Sequence, residues 1–303
     1  MNVISIGEVL WDIVGSEEHL GGAPFNFSAH LSRLGHRVSF VSAVGEDEPG
    51  QRVIDRMSQL GLAADYLHRE ESHPTGTASV ALASDGQPGF VVRRPAAYDF
   101  PQLTAEHSNQ LFSRPVDWIY FGTLQQMSSQ ARQLTLALLD RAPQARRFYD
   151  VNLRPDGYTP ALLERLMTQA TIVKMNQEEA EAIALMFGSH HHSLEEFCQH
   201  YADLYQWEGV CVSRGPIGCA VLISGQYLEA PGYPVRIVDT VGAGDAFAAA
   251  FLHGLNSGWP IKKVADFANR VGALVASRPG AIPDWSISEV NALHTNVGRL
   301  ETA

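Results

Sequence analysis

Cysteine is scarce in this sequence: Cys198, Cys211 and Cys219 are the only three in 303 residues, an odd number without CxxC spacing. That pattern suggests neither a disulfide framework nor a zinc site, so the three are expected as small buried hydrophobes in a reducing compartment. Long apolar runs are missing as well. Nowhere do about 18 uncharged apolar residues follow one another, and Met1–Gly7 carries no basic n-region, so a cytoplasmic protein, neither exported nor membrane-spanning, is expected. Basic clusters are the third absence. With 22 Lys+Arg against 33 Asp+Glu the net charge is -11, which argues against nucleic acid or an anionic membrane as partner, since both demand a basic patch. A small ligand fits better. No low-complexity stretch divides the chain. At 45% hydrophobic and 18% charged it can bury a sizeable core, and one compact domain over 1–303 with an appendage is expected.

Short apolar, β-branched runs recur at Asn2–Ile6, Arg37–Val44, Trp118–Phe121, Arg147–Val151, Ile172–Lys174 and Gly209–Ser213. Each reads as a strand. Between most of them apolar residues fall three and four apart, as in Phe27, Leu31 and Leu34 or Leu134, Leu138 and Leu139, which reads as helix. Such alternation predicts an α/β fold, a mostly parallel sheet with helices on both faces. Gly76–Arg94 breaks the rule. It reads as a hairpin, Thr77–Ala83 and Gly89–Arg94 around the turn Ser84-Asp85-Gly86-Gln87, which must lie at the sheet edge or stand outside it.

Asp239-Thr240-Val241-Gly242-Ala243-Gly244-Asp245, followed by Ala246-Phe247-Ala248-Ala249-Ala250, is a glycine-rich turn opening a helix. Small residues at Gly242, Ala243 and Gly244 let backbone N–H groups point one way, and the helix dipole adds to them, which makes a site for a phosphoryl group even on an acidic protein. Asp245 has two readings: an N-cap for the helix, or a general base that accepts a hydroxyl proton beside that group. A carboxylate of pKa about 4 cannot ionise an alcohol beforehand, so as a base it would act late, in a loose transition state. Gly21-Gly22-Ala23-Pro24-Phe25-Asn26 leads into a second helix that closes at Gly35. Its glycines admit a ligand to the backbone. Asn26 suits a polyol or a helix cap equally, and Asp12, on the segment leading in, could accept two hydroxyl protons.

These two runs resemble the two signatures of the ribokinase or PfkB-like sugar kinases, and the chain resembles that family along most of its length. The resemblance implies a doubly wound α/β fold with a small β lid formed by about 10–20 and 74–99, and transfer of the γ-phosphoryl group of ATP, with magnesium, to a sugar hydroxyl. Asp245 is then the catalytic base, with Gly242, Ala243 and Gly244 as the anion hole. Asp12, Gly21, Gly22 and Asn26 are its sugar ligands. Asn176-Gln177-Glu178-Glu179 looks like the family's NxxE element, in which Glu179 organises magnesium through water; read alone, it is a surface helix start. Ser213-Arg214-Gly215-Pro216-Ile217-Gly218 looks like the nucleotide strand and turn, and Asn269 falls on the helix flanking adenine. Arg278-Pro279-Gly280-Ala281 resembles the loop that, with Asp239 and Val241, holds an optional potassium ion. Lids of this family often pair, so a homodimer through the lid is the partner it implies.

Gly7-Glu8, Trp11-Asp12, Pro74-Thr75-Gly76 and Asp150-Val151-Asn152-Leu153-Arg154-Pro155 lean towards the fructokinase-like branch, with fructose as substrate and 2-keto-3-deoxygluconate, ribose, tagatose or a nucleoside as alternatives. A binding regulator without turnover is the alternative of another class. Arg154 follows a strand end and could reach a hydroxyl or phosphate, or form a surface ion pair. Arg94 belongs to the lid stretch Arg93-Arg94-Pro95-Ala96-Ala97-Tyr98-Asp99, which departs from the commoner glycine-alanine pattern; it is taken with the sugar ligands. His190-His191-His192 reads as a solvated loop, and Glu46-Asp47-Glu48 as a turn with a helix N-terminus.

Overall fold

The computed structural model describes residues 1–82 and 88–293. The chain divides into two compact units, Met1–Ala170 and Thr171–Ala303. In the first, strands β1 (Asn2–Ile6), β4 (Arg37–Gly45), β5 (Leu67–Glu70), β8 (Trp118–Gly122) and β9 (Arg146–Asp150) lie side by side in the order β9-β8-β1-β4-β5, every pair parallel. Parallel strands are covered on both faces, which is why β1 and β8 are buried almost throughout and read as continuous apolar runs. Helices α1 (Ala23–Arg33), α2 (Glu48–Gln59), α3 (Ala105–Leu111), α4 (Ser129–Arg141) and α5 (Pro160–Met167) supply the crossovers and flanking cover. Phe27 of α1 stacks on Tyr120 of β8 with ring centroids 3.7 Å apart, and the Tyr120 hydroxyl donates to the buried Asp150 carboxylate at 3.0 Å. That contact fixes the end of β9, from which the loop carrying Arg154 departs.

The remaining strands of this unit form a second, small sheet. Its order is β3-β2-β6-β7, from β2 (Leu10–Val14), β3 (Glu17–Gly21), β6 (Gly76–Leu82) and β7 (Pro88–Val92). The hairpin expected from the sequence is present as antiparallel β6 and β7, with its strands ending slightly earlier; its turn, Ser84–Gln87, lies outside the described residues. It does not lie at the edge of the parallel sheet. It pairs instead through β6, parallel, with β2. One face of β2 packs towards α2, where Trp11 Nε1 donates to Pro49 O at 3.1 Å and Arg52 lies 4.3 Å over the indole. On the other face Leu10 and Ala78 pack with Ala96 and Tyr98. Glu46-Asp47-Glu48 is the helix start expected of it: Asp47 caps α2 by accepting Gly50 N–H at 2.8 Å, and it also accepts Thr75 N–H at 2.8 Å, which ties the entry of β6 to the helix.

The second unit carries β10 (Ile172–Asn176), β11 (Gly209–Ser213), β12 (Gly218–Ile223) and β13 (Gln226–Pro231) in the order β13-β12-β11-β10, the first pair in sequence parallel and the others antiparallel. Helices α6 (Gln177–Met186), α7 (Leu194–Tyr205), α8 (Ala243–Asn256), α9 (Ile261–Ala276) and α10 (Ile287–Ala292) complete it. The three cysteines are free and buried here. His190 and His192 are exposed on the loop before α7, while His191 packs edge-on against Phe197.

Candidate active site

The glycine turn opens α8. Gly242 is its N-cap, at φ +76, and a Cβ there would come within 2.4 Å of the Ala281 carbonyl oxygen, so both its conformation and its surroundings require glycine. Asp245 therefore does not hold the capping position; it is the third residue of the helix. The capping alternative for it falls. Ala243 N–H turns to Thr240 O at 3.3 Å and Asp245 N–H to Gly242 O at 3.1 Å, whereas among the described residues no acceptor takes the N–H of Gly242 or Gly244. The Ala243 N–H is thus turned back into the chain, and the amides of Gly242 and Gly244 are the donors left open at this turn. Asp239 lashes the turn to the loop after α9. Its carboxylate accepts Val241 N–H and Gly280 N–H, each at 3.0 Å.

Lys174 was not foreseen. It sits on β10, 6% exposed, and its ammonium is 3.5 Å from where a Cβ on Gly244 would lie. A buried cation beside a helix N-terminus is poorly placed with respect to the dipole and well placed for an anion at that turn. The sequence signal was a lysine inside an apolar strand, which pattern reading treats as a strand end.

A cleft of about 820 Å³ in the same unit is lined by Asn176, Ser213, Gly215, Gly218 and Asn269, the residues chosen for the nucleotide from the sequence, together with Gly244. Local chemistry explains some of them further. Asn176 and Glu179 form a reciprocal capping box for α6, each side chain accepting the other's N–H at 2.8 Å. Gly218, at φ +112, passes so close to β13 that a Cβ would fall 2.0 Å from Ala230 O. Asn269 donates to Ala230 O and Pro231 O at 3.3 and 3.1 Å and so pins the end of β13 to α9. Arg278 turns its side chain to Glu289 at 2.5 Å. Apolar wall residues Val235, Ile237 and Phe247 also line the cleft and were not singled out.

In the first unit, Asp12 stands on β2 and its carboxylate rests on Gly21, where a Cβ would lie 2.3 Å from Oδ2. Gly22 is at φ +106, with a Cβ position 2.5 Å from Glu8 O, and it caps α1 without a side chain. Asn26 is not a cap; it lies one turn into α1, 3% exposed. Arg154 is exposed and bears on Asp12 electrostatically. Arg94 is corrected. Its guanidinium binds Asp99 through both Nε and Nη2, at 3.2 and 2.5 Å, and Leu124 O through Nη1 at 2.8 Å, so its fork is spent on the framework of this unit. Proline after it and the buried Asp99 decide that, and neither is visible as a partner from the sequence.

Burial pushes the Asp12 carboxyl up to about 6, against the pull of Arg154 and His19. Because the folded value is above the unfolded one, ionised Asp12 costs stability: nothing below pH about 4, increasingly to pH about 6, and fully above it. Asp12→Asn is therefore expected to raise stability at pH 8 by on the order of 2 kcal/mol, several °C in Tm, and by nothing at pH 4. Thermal melts of both proteins across that range check it; equal gains at both pH values would contradict the assignment.

Residues 7–287 match the model of the pfkB family carbohydrate kinases. The chain belongs to that family. It is 29% identical over 282 residues to the fructokinase of Salmonella typhimurium, covering 86% of this chain and 87% of that one. An uncharacterized sugar kinase of Pyrococcus horikoshii, whose structure is in complex with ATP, aligns at TM-score 0.78 and 27% identity over 92% of this chain and 93% of that one. The fructokinase of Xylella fastidiosa with bound ATP shares the fold at TM-score 0.82 and 24% identity, covering 96% and 97%. This PfkB protein is accordingly a carbohydrate kinase, a phosphotransferase acting on sugar, with the ribokinase-like α/β fold and its second small sheet. No helix among the described residues is long and apolar enough to cross a membrane.

Proposed function

We propose that this kinase phosphorylates fructose with ATP, and that Asp245 accepts the proton of the attacking hydroxyl. The hydroxyl oxygen bonds to the γ-phosphorus, the bond to the β–γ bridging oxygen breaks, ADP leaves, and the proton passes to the Asp245 carboxylate. The observation that carries this reading is the start of α8: two glycine amides without an acceptor, a buried lysine ammonium beside them and a carboxylate at the third helical position. The amides of Gly242 and Gly244 stabilise the charge that develops on the transferring group. The fructokinase relative at 29% identity supports fructose, and the small sheet serves as the lid over the sugar held by Asp12, Gly21, Gly22, Asn26 and Arg154.

Asn176, Ser213, Gly215, Gly218 and Asn269 hold the nucleotide in the cleft they line. Magnesium fits these residues as a water-carrying ion: no cluster of acids, thiols or imidazoles able to hold a metal unaided occurs among the described residues, and Glu179 spends one carboxylate oxygen on the Asn176 N–H. When bound, the metal neutralises charge on the β- and γ-phosphate oxygens. Asp239, with the carbonyls of Val241, Arg278 and Gly280, would hold potassium; the Asp239 bonds to Val241 and Gly280 support this by keeping the two segments together.

The test is ADP release at pH 7 to 8 with ATP, magnesium and potassium against fructose, ribose, tagatose, 2-keto-3-deoxygluconate and adenosine. Fructose is expected to give the highest kcat/KM. A higher value on another acceptor overturns the substrate, and ATP binding without turnover on any of them overturns the mechanism. The acidic limb of kcat/KM for the sugar is expected near pH 6 in the wild type, because Asp12 must be ionised to accept hydroxyl protons, and to be absent in Asp12→Asn.

A further inference from the structure

His19 is the residue directly opposite Asp12 in the antiparallel pair of β2 and β3. Opposed residues in such a pair project from the same face, with Cβ atoms about 5 Å apart. That face is the one whose root, Leu10, packs with Ala96 and Tyr98, and it is opposite to the Trp11 face turned towards α2. His19 and Arg154 both act electrostatically on Asp12. Two residues along the same face, Glu17 Oε2 is 3.3 Å from His19 Nε2. Glu17 accepts the hydrogen bond of Nε2–H and so holds the imidazole, which leaves Nδ1 as the nitrogen able to meet a hydroxyl. An imidazole nitrogen and a carboxylate on directly opposed residues of one face are suited to two neighbouring hydroxyls of a ligand.

We infer that His19 is a further sugar-binding residue, which with Asp12 holds two adjacent hydroxyls of the substrate and so selects for a polyol bearing that diol. The inference rests on the proposed placing of the sugar at Asp12. Glu17 is a positioning residue, acting only through the imidazole. His19 is 51% exposed at its side chain, so its replacement leaves the fold in place.

The experiment measures sugar affinity by calorimetry, which needs no turnover, beside KM for sugar and for ATP, in wild type, His19→Ala and His19→Asn. Asn keeps a polar atom near the Nδ1 position. His19→Ala is expected to weaken the sugar about tenfold, the loss of one hydrogen bond, with KM for ATP and kcat within about twofold, and His19→Asn to recover most of the loss. A monodeoxy sugar lacking the hydroxyl that His19 holds is expected to bind wild type and His19→Ala alike. Sugar affinity in His19→Ala within about twofold of wild type, while Asp12→Ala abolishes it, overturns the role of His19 alone. Unchanged sugar affinity in Asp12→Ala overturns the placing of the sugar and the inference with it.

Discussion

Replacing Asp245 by asparagine is expected to lower kcat by about three orders of magnitude, with KM for ATP and for the sugar nearly unchanged. Asparagine preserves the shape but cannot take up a proton. The fold should tolerate it, because Gly242 and not Asp245 caps α8. Its first-turn carboxylate would also give up its interaction with the helix dipole, less than about 1 kcal/mol. Coupled ADP release at saturating substrates gives the kcat ratio and a thermal melt gives the stability. A drop of less than tenfold would assign the proton to another group.

Gly242→Ala carries the second large effect, and it acts on structure and chemistry together. A side chain at φ +76 costs about 1–2 kcal/mol. Its Cβ would in addition stand 2.4 Å from Ala281 O, a backbone atom that cannot swing aside as a side-chain tip would. The loop that must move carries Gly280, which donates to Asp239, so the turn and its two free amides shift together. A loss of about a hundredfold in kcat/KM is expected, the scale of losing one donor from an oxyanion hole. Gly280→Ala is the control: its φ is +78 but a Cβ there meets nothing within 4 Å, so strain is present and clash is not. If both variants lose the same activity and stability, conformational strain alone explains Gly242 and the close approach of Ala281 has no consequence.

Much of this kinase was legible before its structure. Asn2–Ile6 and Gly209–Ser213 read as strands with the bounds they have, because strands inside a sheet covered on both faces are buried and so are apolar in nearly unbroken runs. Asp239–Asp245 announced a glycine turn opening a helix because only small residues allow the backbone that turn needs, so the requirement is written in the residues themselves. The five residues chosen for the nucleotide line one cleft: four sit at a strand end or a turn, where an α/β fold receives its ligands, and Asn269 lines it from α9.

What tertiary structure alone decided is partnership between polar groups far apart in the chain. No local pattern says that β6 adds to β2 in parallel, that His19 comes opposite Asp12, or that Lys174 ends beside Gly244. Arg94 had the same look as Arg154 in the sequence, yet one fork is spent on Asp99 and Leu124 while the other remains exposed near Asp12. Apolar periodicity is a property of each segment, set by which side of it meets water. The partner of a charge depends on which segments meet, and for Asp12 that meeting, through burial, also moved its titration into the working range of pH.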